Sequence, residues 1–291
     1  MSSLPPDIGP LPPRPTDTHK GRQGHLLIVG GSRGLSGAVI LCARAALRAG
    51  AGLVTAALPR TQALPFDVAC PEAMSIPLPE GAEGGATAEG VAHLATAIER
   101  ADALVIGPGL GRGEGADALF RSLLSRYNGP HLIDADGLWH LARADALLRA
   151  GAADRVLTPH DGEFGRLRET LGQPADTRER ECALFARTVP GVLVRKGAGT
   201  RIVEGERCVV NETGNPGLAS GGTGDVLAGV IGALLARGEA PFAAARRGAW
   251  LHGRAGDLAR DRLGEESMIA TDVVEALPRA FGAPGESSPD G

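Results

Sequence analysis

The chain has 291 residues, 43% of them hydrophobic, and a formal net charge of -4 at pH 7. This length and apolar content are enough for one large hydrophobic core, while the weakly acidic balance without a basic cluster argues against a nucleic-acid partner. The four cysteines are scattered without Cys-x-x-Cys spacing, which indicates neither a zinc site nor a disulfide framework and favours a reducing, cytoplasmic location.

The N-terminal segment, residues 1–15, is proline-rich and lacks an apolar core, so we expect a flexible arm and not a signal peptide. No later apolar run is long enough to span a bilayer, and no membrane association is expected. One domain is predicted over residues 16–281, where short apolar runs alternate with segments of helical periodicity. Residues 282–291 are predicted to be a flexible tail.

Short apolar runs that end in glycine or polar residues predict the strands. They lie at residues 25–29, 53–58, 74–78, 103–106, 131–134, 155–157 and 192–195, followed by a hairpin of 201–203 and 208–210. Helical periodicity with glycine or polar ends predicts the helices between and after them. These lie at residues 38–49, 88–100, 114–125, 138–149, 164–171, 178–188, 225–237, 241–262 and 271–281.

This alternation predicts an α/β fold with a mostly parallel central sheet, right-handed crossovers and helices on both faces. Ligands of such sheets bind at the carboxyl ends of the strands. Four glycine-bearing polar segments follow strands at that edge, at residues 30–37, 107–111, 158–163 and 196–200. The sequence therefore predicts a ligand site there.

Residues 221–225, Gly-Gly-Thr-Gly-Asp, lead into a segment that is apolar nearly all round and predicts a buried helix. Glycine N–H groups and the helix N-terminus together can bind phosphate. A phosphate would repel the carboxylate of Asp225, so the side chain suits a base for a hydroxyl that attacks that phosphate. The alternative is an acidic residue stabilised only by the helix dipole. The glycines and the buried helix favour a catalytic role for Asp225.

Two other phosphate-binding motifs fit poorly. Residues 30–37 follow a strand and precede a helix, but they lack Gly-x-Gly-x-x-Gly spacing and an acidic residue about 20 positions later. A short-chain dehydrogenase would need Tyr-x-x-x-Lys, and Tyr127 has His131 in the place of that lysine. No Walker phosphate loop is present. A dinucleotide oxidoreductase and a P-loop enzyme are therefore disfavoured.

Two of the strand-end segments allow either a structural or a functional interpretation. Residues 158–163, Thr-Pro-His-Asp-Gly-Glu, form an ordinary proline turn or a polar site beside phosphate or magnesium. Residues 196–200, Lys-Gly-Ala-Gly-Thr, form a plain hairpin turn or a nucleotide-binding loop. Their occurrence at the same predicted edge favours a site.

Residues 215–225, 158–163 and 196–200, with the early His19-Lys-Gly and Gly24, together resemble the ADP/ATP-dependent NAD(P)H-hydrate dehydratases. This family is a branch of the ribokinase-like superfamily, and the resemblance covers about residues 16–281. Leu218 and Ser220 stand where methionine and threonine are more usual in the family. The resemblance implies a ribokinase-like fold and a lyase of metabolite repair.

In the reaction that the resemblance implies, ADP or ATP phosphorylates the hydroxyl of the S-epimer of NADHX or NADPHX, and loss of phosphate restores NADH or NADPH. The nucleotide is a co-substrate and Mg²⁺ a cofactor. Some family members carry an N-terminal epimerase domain, for which we expect no room here, so an epimerase is expected on a separate chain. A homo-oligomer such as a tetramer is also expected.

The resemblance also implies the roles of individual residues. Asp225 is the catalytic base, and Glu163 organises magnesium through water. The remaining roles are an anion hole of Gly222, Thr223 and Gly224; nucleotide binding by Lys196, Gly197, Ala198, Gly199, Thr200 and Gly224; and hydrate binding by Ala38, Gly109, His160 and Asp225.

Two other functions stay open at the level of sequence. One is a ribokinase-like kinase of a small vitamin-precursor alcohol, against which the Thr-Pro-His-x-Gly-Glu turn argues. The other is a nucleotide-binding regulator without catalysis, against which the isolated Asp225 argues.

Overall fold

The computed structural model describes residues 8, 9, 11, 17 and 23–282. The His19-Lys-Gly motif and most of the predicted arm and tail lie outside the described residues, so the predicted domain boundaries stay predictions. Within the part that is described, no helix is both long and apolar enough to cross a membrane.

A nine-stranded sheet forms the centre of the molecule, in the order β3-β2-β1-β4-β5-β6-β7-β8-β9. Its strands are His25–Val29 (β1), Leu53–Pro59 (β2), Met74–Leu78 (β3), Ala103–Ile106 (β4), His131–Ile133 (β5), Arg155–Leu157 (β6), Val192–Arg195 (β7), Arg201–Glu204 (β8) and Arg207–Val210 (β9). The seven strands β1 to β7 pair with their neighbours in parallel, while β8 pairs antiparallel with both β7 and β9. The predicted mostly parallel sheet with a terminal hairpin is confirmed.

Helices cover both faces of the sheet. They are Ser36–Arg48 (α1), Arg60–Ala69 (α2), Gly90–His93 (α3), Ala95–Arg100 (α4), Glu114–Leu124 (α5), Asp136–Leu141 (α6), Asp145–Arg149 (α7), Asp161–Thr170 (α8), Arg178–Thr188 (α9), Thr223–Ala236 (α10), Pro241–Leu263 (α11) and Ala270–Ala280 (α12). Successive residues of a strand point to opposite faces, so Leu26 and Ile28 pack in one core and Leu27 and Val29 in the other.

The sequence missed one helix and merged two pairs of others. Helix α2 contains Pro65 and exposes Leu64 and Val68, so its sequence has neither an uninterrupted helical pattern nor a clean apolar face. The predicted helix 88–100 is two short helices that meet at Leu94. The predicted helix 138–149 is also two helices, because Ala144 has an extended φ of -135° before α7 begins.

Helix α10 fixes the position of the candidate site. Every residue from Val226 to Ala236 is buried, as its apolar sequence predicts. Gly229 and Gly232 let it approach its neighbours closely: a Cβ at Gly229 would overlap the carbonyl oxygen of Cys42 in α1, and one at Gly232 would lie 2.5 Å from Cγ2 of Val105 in β4. The N-terminus of α10 is thereby held at the carboxyl edge of the sheet.

Candidate active site

The first turn of α10 is built to leave its N–H groups open. Its N-cap residue is Gly222, with a left-handed φ of 89° and no side chain to cap the helix. A Cβ there would lie 2.5 Å from Cδ1 of Leu41, so the position requires glycine. The Thr223 hydroxyl donates to the carbonyl oxygens of Leu218 (2.7 Å) and Ser220 (3.0 Å), which fixes the preceding loop. Such a turn can bind an anion through its backbone.

Asp225 is half-buried in the first turn of α10. Burial raises its pKa, and the carboxylate of Asp134 raises it further, while the Lys196 ammonium lowers it; the net result is a pKa of about 7. Asp136 and Glu163 add smaller upward contributions. A carboxyl group with a pKa near neutrality is unusual and is suited to proton transfer.

Lys196 meets a carboxylate that the sequence analysis did not identify. Its Nζ lies 2.8 Å from Oδ1 of Asp134, a side chain that is 2% exposed, and 3.7 Å from Oε2 of Glu163. Burial alone would lower the pKa of Lys196, but the two carboxylates outweigh it and raise the pKa, so the group stays an ammonium. A Cβ at Gly224 would lie 3.3 Å from this Nζ. The positive charge therefore faces the first turn of α10.

Asp134 and Asp136 flank a strained residue. Ala135 has φ 50° and ψ -122°, and it is the one non-glycine residue with positive φ in the described part of the chain. Asp136 accepts from the N–H of Gly111 (3.0 Å) and from Nε of Arg112 (2.8 Å). The turn thus directs one carboxylate to Lys196 and the next to the glycine loop after β4. The sequence signal that could have identified this turn is the occurrence of two acidic residues directly after a buried strand.

The segment around His160 begins helix α8 with a capping box. Nδ1 of His160 accepts from the N–H groups of Gly162 (3.0 Å) and Glu163 (3.3 Å), and Oε2 of Glu163 accepts from the His160 N–H at 2.8 Å. Burial raises the pKa of Glu163, and the Lys196 ammonium opposes that shift. Helix capping therefore accounts for part of this motif. Glu163 also lies 3.7 Å from Nζ of Lys196, the ammonium that contacts Asp134.

No group of three or more His, Cys, Asp or Glu side chains within the described residues is arranged to hold a metal ion. The acidic cluster instead surrounds an ammonium. The residues present thus fit a magnesium ion held mainly by phosphate oxygens and water, and do not fit an all-protein cage. An indirect role of Glu163 stays a prediction.

A cavity of about 500 Å³ opens beside the first turn of α10. All the residues predicted to bind the nucleotide line it, namely Lys196, Gly197, Ala198, Gly199, Thr200 and Gly224. The sequence missed its other wall, formed by residues 211–216, 218 and 219 and by His252 of α11. Burial lowers the pKa of His252 to about 4, so its imidazole is neutral.

Apart from Asp225, the residues predicted to bind the hydrate lie elsewhere on the same edge. Ala38 is in the first turn of α1, Gly109 follows β4 and His160 follows β6, and none of the three is among the described residues that line the cavity. Gly109 is buried with φ 57°, and a Cβ there would lie 2.5 Å from the carbonyl oxygen of Leu35. Their role in hydrate binding stays a prediction.

The chain is similar to known proteins along most of its length. A sequence model of the NAD(P)H-hydrate dehydratase family matches residues 26–279. The chain therefore belongs to this dehydratase family. The bifunctional NAD(P)H-hydrate repair enzyme Nnr of Moorella thermoacetica is 43% identical over 270 residues, which are 92% of this chain and 51% of that protein. The chain spans about half the length of the curated relatives it matches.

Two solved structures are similar to most of this chain. The ADP/ATP-dependent NAD(P)H-hydrate dehydratase of Bacillus subtilis, co-crystallised with ATP and Mg²⁺, superposes with a TM-score of 0.78 and 28% identity, covering 94% of both chains. A ribokinase-like superfamily protein of Enterococcus faecalis gives a TM-score of 0.79 at 28% identity, covering 92% of this chain and 90% of the other. The ribokinase-like fold is confirmed.

Removing the ammonium of Lys196 is expected to destabilise the fold. Among the described residues, Lys196→Met leaves the buried Asp134 carboxylate with only the Thr158 hydroxyl, at 2.8 Å, as a donor. An uncompensated buried charge costs about 3 kcal/mol of the free energy of unfolding, measured by urea denaturation. Adding Asp134→Asn removes the charge but keeps an acceptor for Thr158, so the double variant is expected to recover part of the loss. Wild-type stability of Lys196→Met would show that the pair is unimportant.

Asp225→Asn is expected to stabilise the protein, and more so at high pH. The folded-state pKa of Asp225 is raised from 3.8 to about 7, so its stability contribution is present below pH 4 and lost as pH rises through 7. Each pKa unit corresponds to about 1.4 kcal/mol. After discounting for partial exposure, we expect a gain on the order of 2 kcal/mol at pH 8 that shrinks at pH 5. Urea denaturation at pH 5 and pH 8 measures the change in the free energy of unfolding. A change that is equal at the two pH values, or a destabilisation at both, would refute the prediction.

Proposed function

We propose that the chain catalyses ADP- or ATP-dependent dehydration of the S-epimer of NADHX or NADPHX to NADH or NADPH, a carbon–oxygen lyase reaction. The observation that carries this proposal is Asp225, a half-buried carboxyl group with a pKa of about 7 beside an anion-binding helix turn and an ammonium. Membership of the dehydratase family supports it and disfavours the kinase of a vitamin-precursor alcohol.

The nucleotide would occupy the 500 Å³ cavity with its terminal phosphoryl group at the first turn of α10. There the N–H groups of residues 222–224 bind the phosphoryl oxygens, and Lys196, next to Gly224, offsets their charge. The glycines at 197 and 199, with φ of 137° and 63°, shape the loop that follows Lys196. Such contacts would bring the phosphorus atom to the helix turn that carries Asp225.

Asp225 would act as the base for the hydrate hydroxyl. It takes the hydroxyl proton while the oxygen bonds to phosphorus, and the bond to the nucleotide breaks to release AMP from ADP or ADP from ATP. The ring nitrogen then expels phosphate as the carbon–oxygen bond breaks, and loss of a proton from the adjacent ring carbon restores the reduced nicotinamide. A pKa near the working pH favours the first proton transfer.

Magnesium would be held here by the nucleotide's phosphates and by water that Glu163 orients. When bound it neutralises phosphate charge during transfer. The Oε2 atom of Glu163 accepts from the His160 N–H and lies 3.7 Å from Nζ of Lys196, a residue that lines the cavity. The Bacillus subtilis relative co-crystallised with ATP and Mg²⁺ supports this assignment.

The curated relatives are named bifunctional repair enzymes, and the chain matches about half of their length. We propose that the protein forms a homo-oligomer such as a tetramer. A cytoplasmic location is proposed because all four cysteines are free thiols.

The test is to incubate the purified protein with hydrated NADH or NADPH, Mg²⁺ and either ADP or ATP. We expect the absorbance of the reduced nicotinamide to return, with equal amounts of NAD(P)H and inorganic phosphate. A stable phosphorylated alcohol without regained absorbance would establish a kinase instead. Nucleotide binding with no consumption would establish a regulator.

A further inference from the structure

One wall of the nucleotide cavity is irregular chain. Between β9 and α10 the backbone forms no strand, and the one helical turn is the 3-10 turn Pro216–Leu218. The wall residues that face the cavity are Asn211, Glu212, Thr213, Gly214, Asn215, Pro216, Leu218 and Ala219. Because the segment makes no ladder of its own, its position depends on what it is fastened to.

The wall is fastened to helix α11. A Cβ at Gly253 would overlap the Oγ1 of Thr213, and one at Gly256 would lie 2.7 Å from Cδ2 of Leu218, so the two glycines allow the wall to lie directly on the helix. The Thr213 hydroxyl donates to the carbonyl oxygen of Trp250 at 2.9 Å. One face of α11 thus serves as the support of the wall.

Asp257 makes the charged contacts of this support. Its Oδ2 accepts from the N–H of Gly214 and its Oδ1 from Nδ2 of Asn215, both at 3.1 Å. Oδ1 of Asn215 in turn accepts from the Gly217 N–H at 3.0 Å, so the hold extends into the 3-10 turn. The Asp257 side chain is 16% exposed and is not among the described residues that line the cavity. It can reach a nucleotide only through the wall.

We propose that Asp257 is a positioning residue for the adenine nucleotide, which holds residues 214–217 in the bound arrangement before the nucleotide enters. The proposal rests on the proposed function in that the cavity takes a nucleotide. Without this contact the wall would sample other positions, and binding would have to order it. Asp225, Lys196 and Gly224 lie on other elements, so the transfer step itself is unaffected.

Asp257→Asn keeps one acceptor oxygen but turns an NH₂ group towards one of the two donors. We expect the Kd and KM for the nucleotide to rise about 10-fold, with kcat and the KM for the hydrate within twofold of the wild type. Asn215→Ala, a milder change, is expected to weaken nucleotide binding several-fold. In the Asn215→Ala background Asp257→Asn should add less than it does alone, because the two side chains share a contact.

Asp261→Asn is the matched control. Asp261 lies one turn further along α11, is 59% exposed and bonds Arg260 at 2.8 Å, the same arginine that approaches Asp257 at 3.8 Å. This variant removes an acid from the same helix without touching the wall. We expect its nucleotide Kd to equal that of the wild type.

The decisive measurement is calorimetric titration of each variant with ADP and Mg²⁺, which needs no hydrate. The proposal would be overturned if Asp257→Asn left the Kd for ADP unchanged. It would also be overturned if this variant lowered kcat and Tm and raised both KM values together, or if the wild-type protein bound neither ADP nor ATP. ADP binding that depends on Asp257 in a protein that leaves the hydrate untouched would support the proposal and contradict the proposed function.

Discussion

Asp225→Asn is expected to lower turnover by roughly 10² to 10⁴ fold while nucleotide affinity stays close to that of the wild type. Asparagine has nearly the same shape as aspartate but cannot accept the proton of the hydrate hydroxyl. The proposed phosphate contacts of the first turn come from backbone N–H groups and Lys196, which the change leaves in place. Steady-state kinetics with the hydrate, together with titration of ADP, measure the two quantities separately.

Asp272→Asn is the control for this variant. Asp272 lies in the first turn of α12, where its carboxylate accepts from the Ile269 N–H at 2.8 Å and from Nη2 of Arg262 at 3.2 Å, so its contacts are those of a helix cap and an ion pair. Its loss is expected to reduce stability and leave turnover unchanged. If Asp225 were only stabilised by the helix dipole, Asp225→Asn would behave in the same way. Wild-type turnover of Asp225→Asn would exclude Asp225 as the base.

Gly224→Val is expected to lower turnover by about 100-fold. Gly224 has a helical backbone that valine can adopt, but its Cβ would lie 3.3 Å from the Lys196 Nζ and 4.0 Å from Oδ2 of Asp134. The methyl groups would occupy the space of the terminal phosphoryl group and displace it from the N–H donors. Loss of one such donor costs about 3 kcal/mol in the transition state. The measurement is kcat under saturating nucleotide.

Gly165→Val supplies the comparison for the helix itself. Gly165 lies within α8, and a Cβ there would have no neighbour within 4 Å, so the substitution carries only the general cost of valine in a helix. We expect its turnover to match that of the wild type. Equal rates for Gly224→Val and the wild type would mean that residues 221–224 are a turn without a role in phosphate binding.

The sequence predicted the structure best where a residue type favours one local structure, such as apolar runs for strands or glycine for a positive φ. The strands were predictable because each is a short apolar run that ends in glycine or a polar residue, and α10 because it is apolar all round. Gly222 was singled out as part of a cradle, and its left-handed φ of 89° confirms that the turn needs glycine. The Lys196 loop was placed at the correct edge because β7 is parallel to its neighbour β6.

Contacts between distant parts of the chain were not predictable. Lys196 meets Asp134 across 62 residues, and this pairing depends on β5 lying beside β6 and β6 beside β7. Periodicity identifies strands but not their order in a sheet. His252 and Asp257 were missed because each is a single polar residue within a long helix, where a solvent-exposed position is the usual case.

We propose that dehydration proceeds through phosphorylation of the hydrate hydroxyl beside Asp225. The most direct test uses hydrate whose ring hydroxyl carries ¹⁸O, with ADP or ATP and Mg²⁺, and determines by mass spectrometry where the label goes. Because the hydroxyl oxygen bonds to phosphorus before its bond to carbon breaks, we expect one labelled oxygen in each inorganic phosphate released. Label in water, with unlabelled phosphate, would show direct loss of hydroxide alongside nucleotide hydrolysis and would contradict the account.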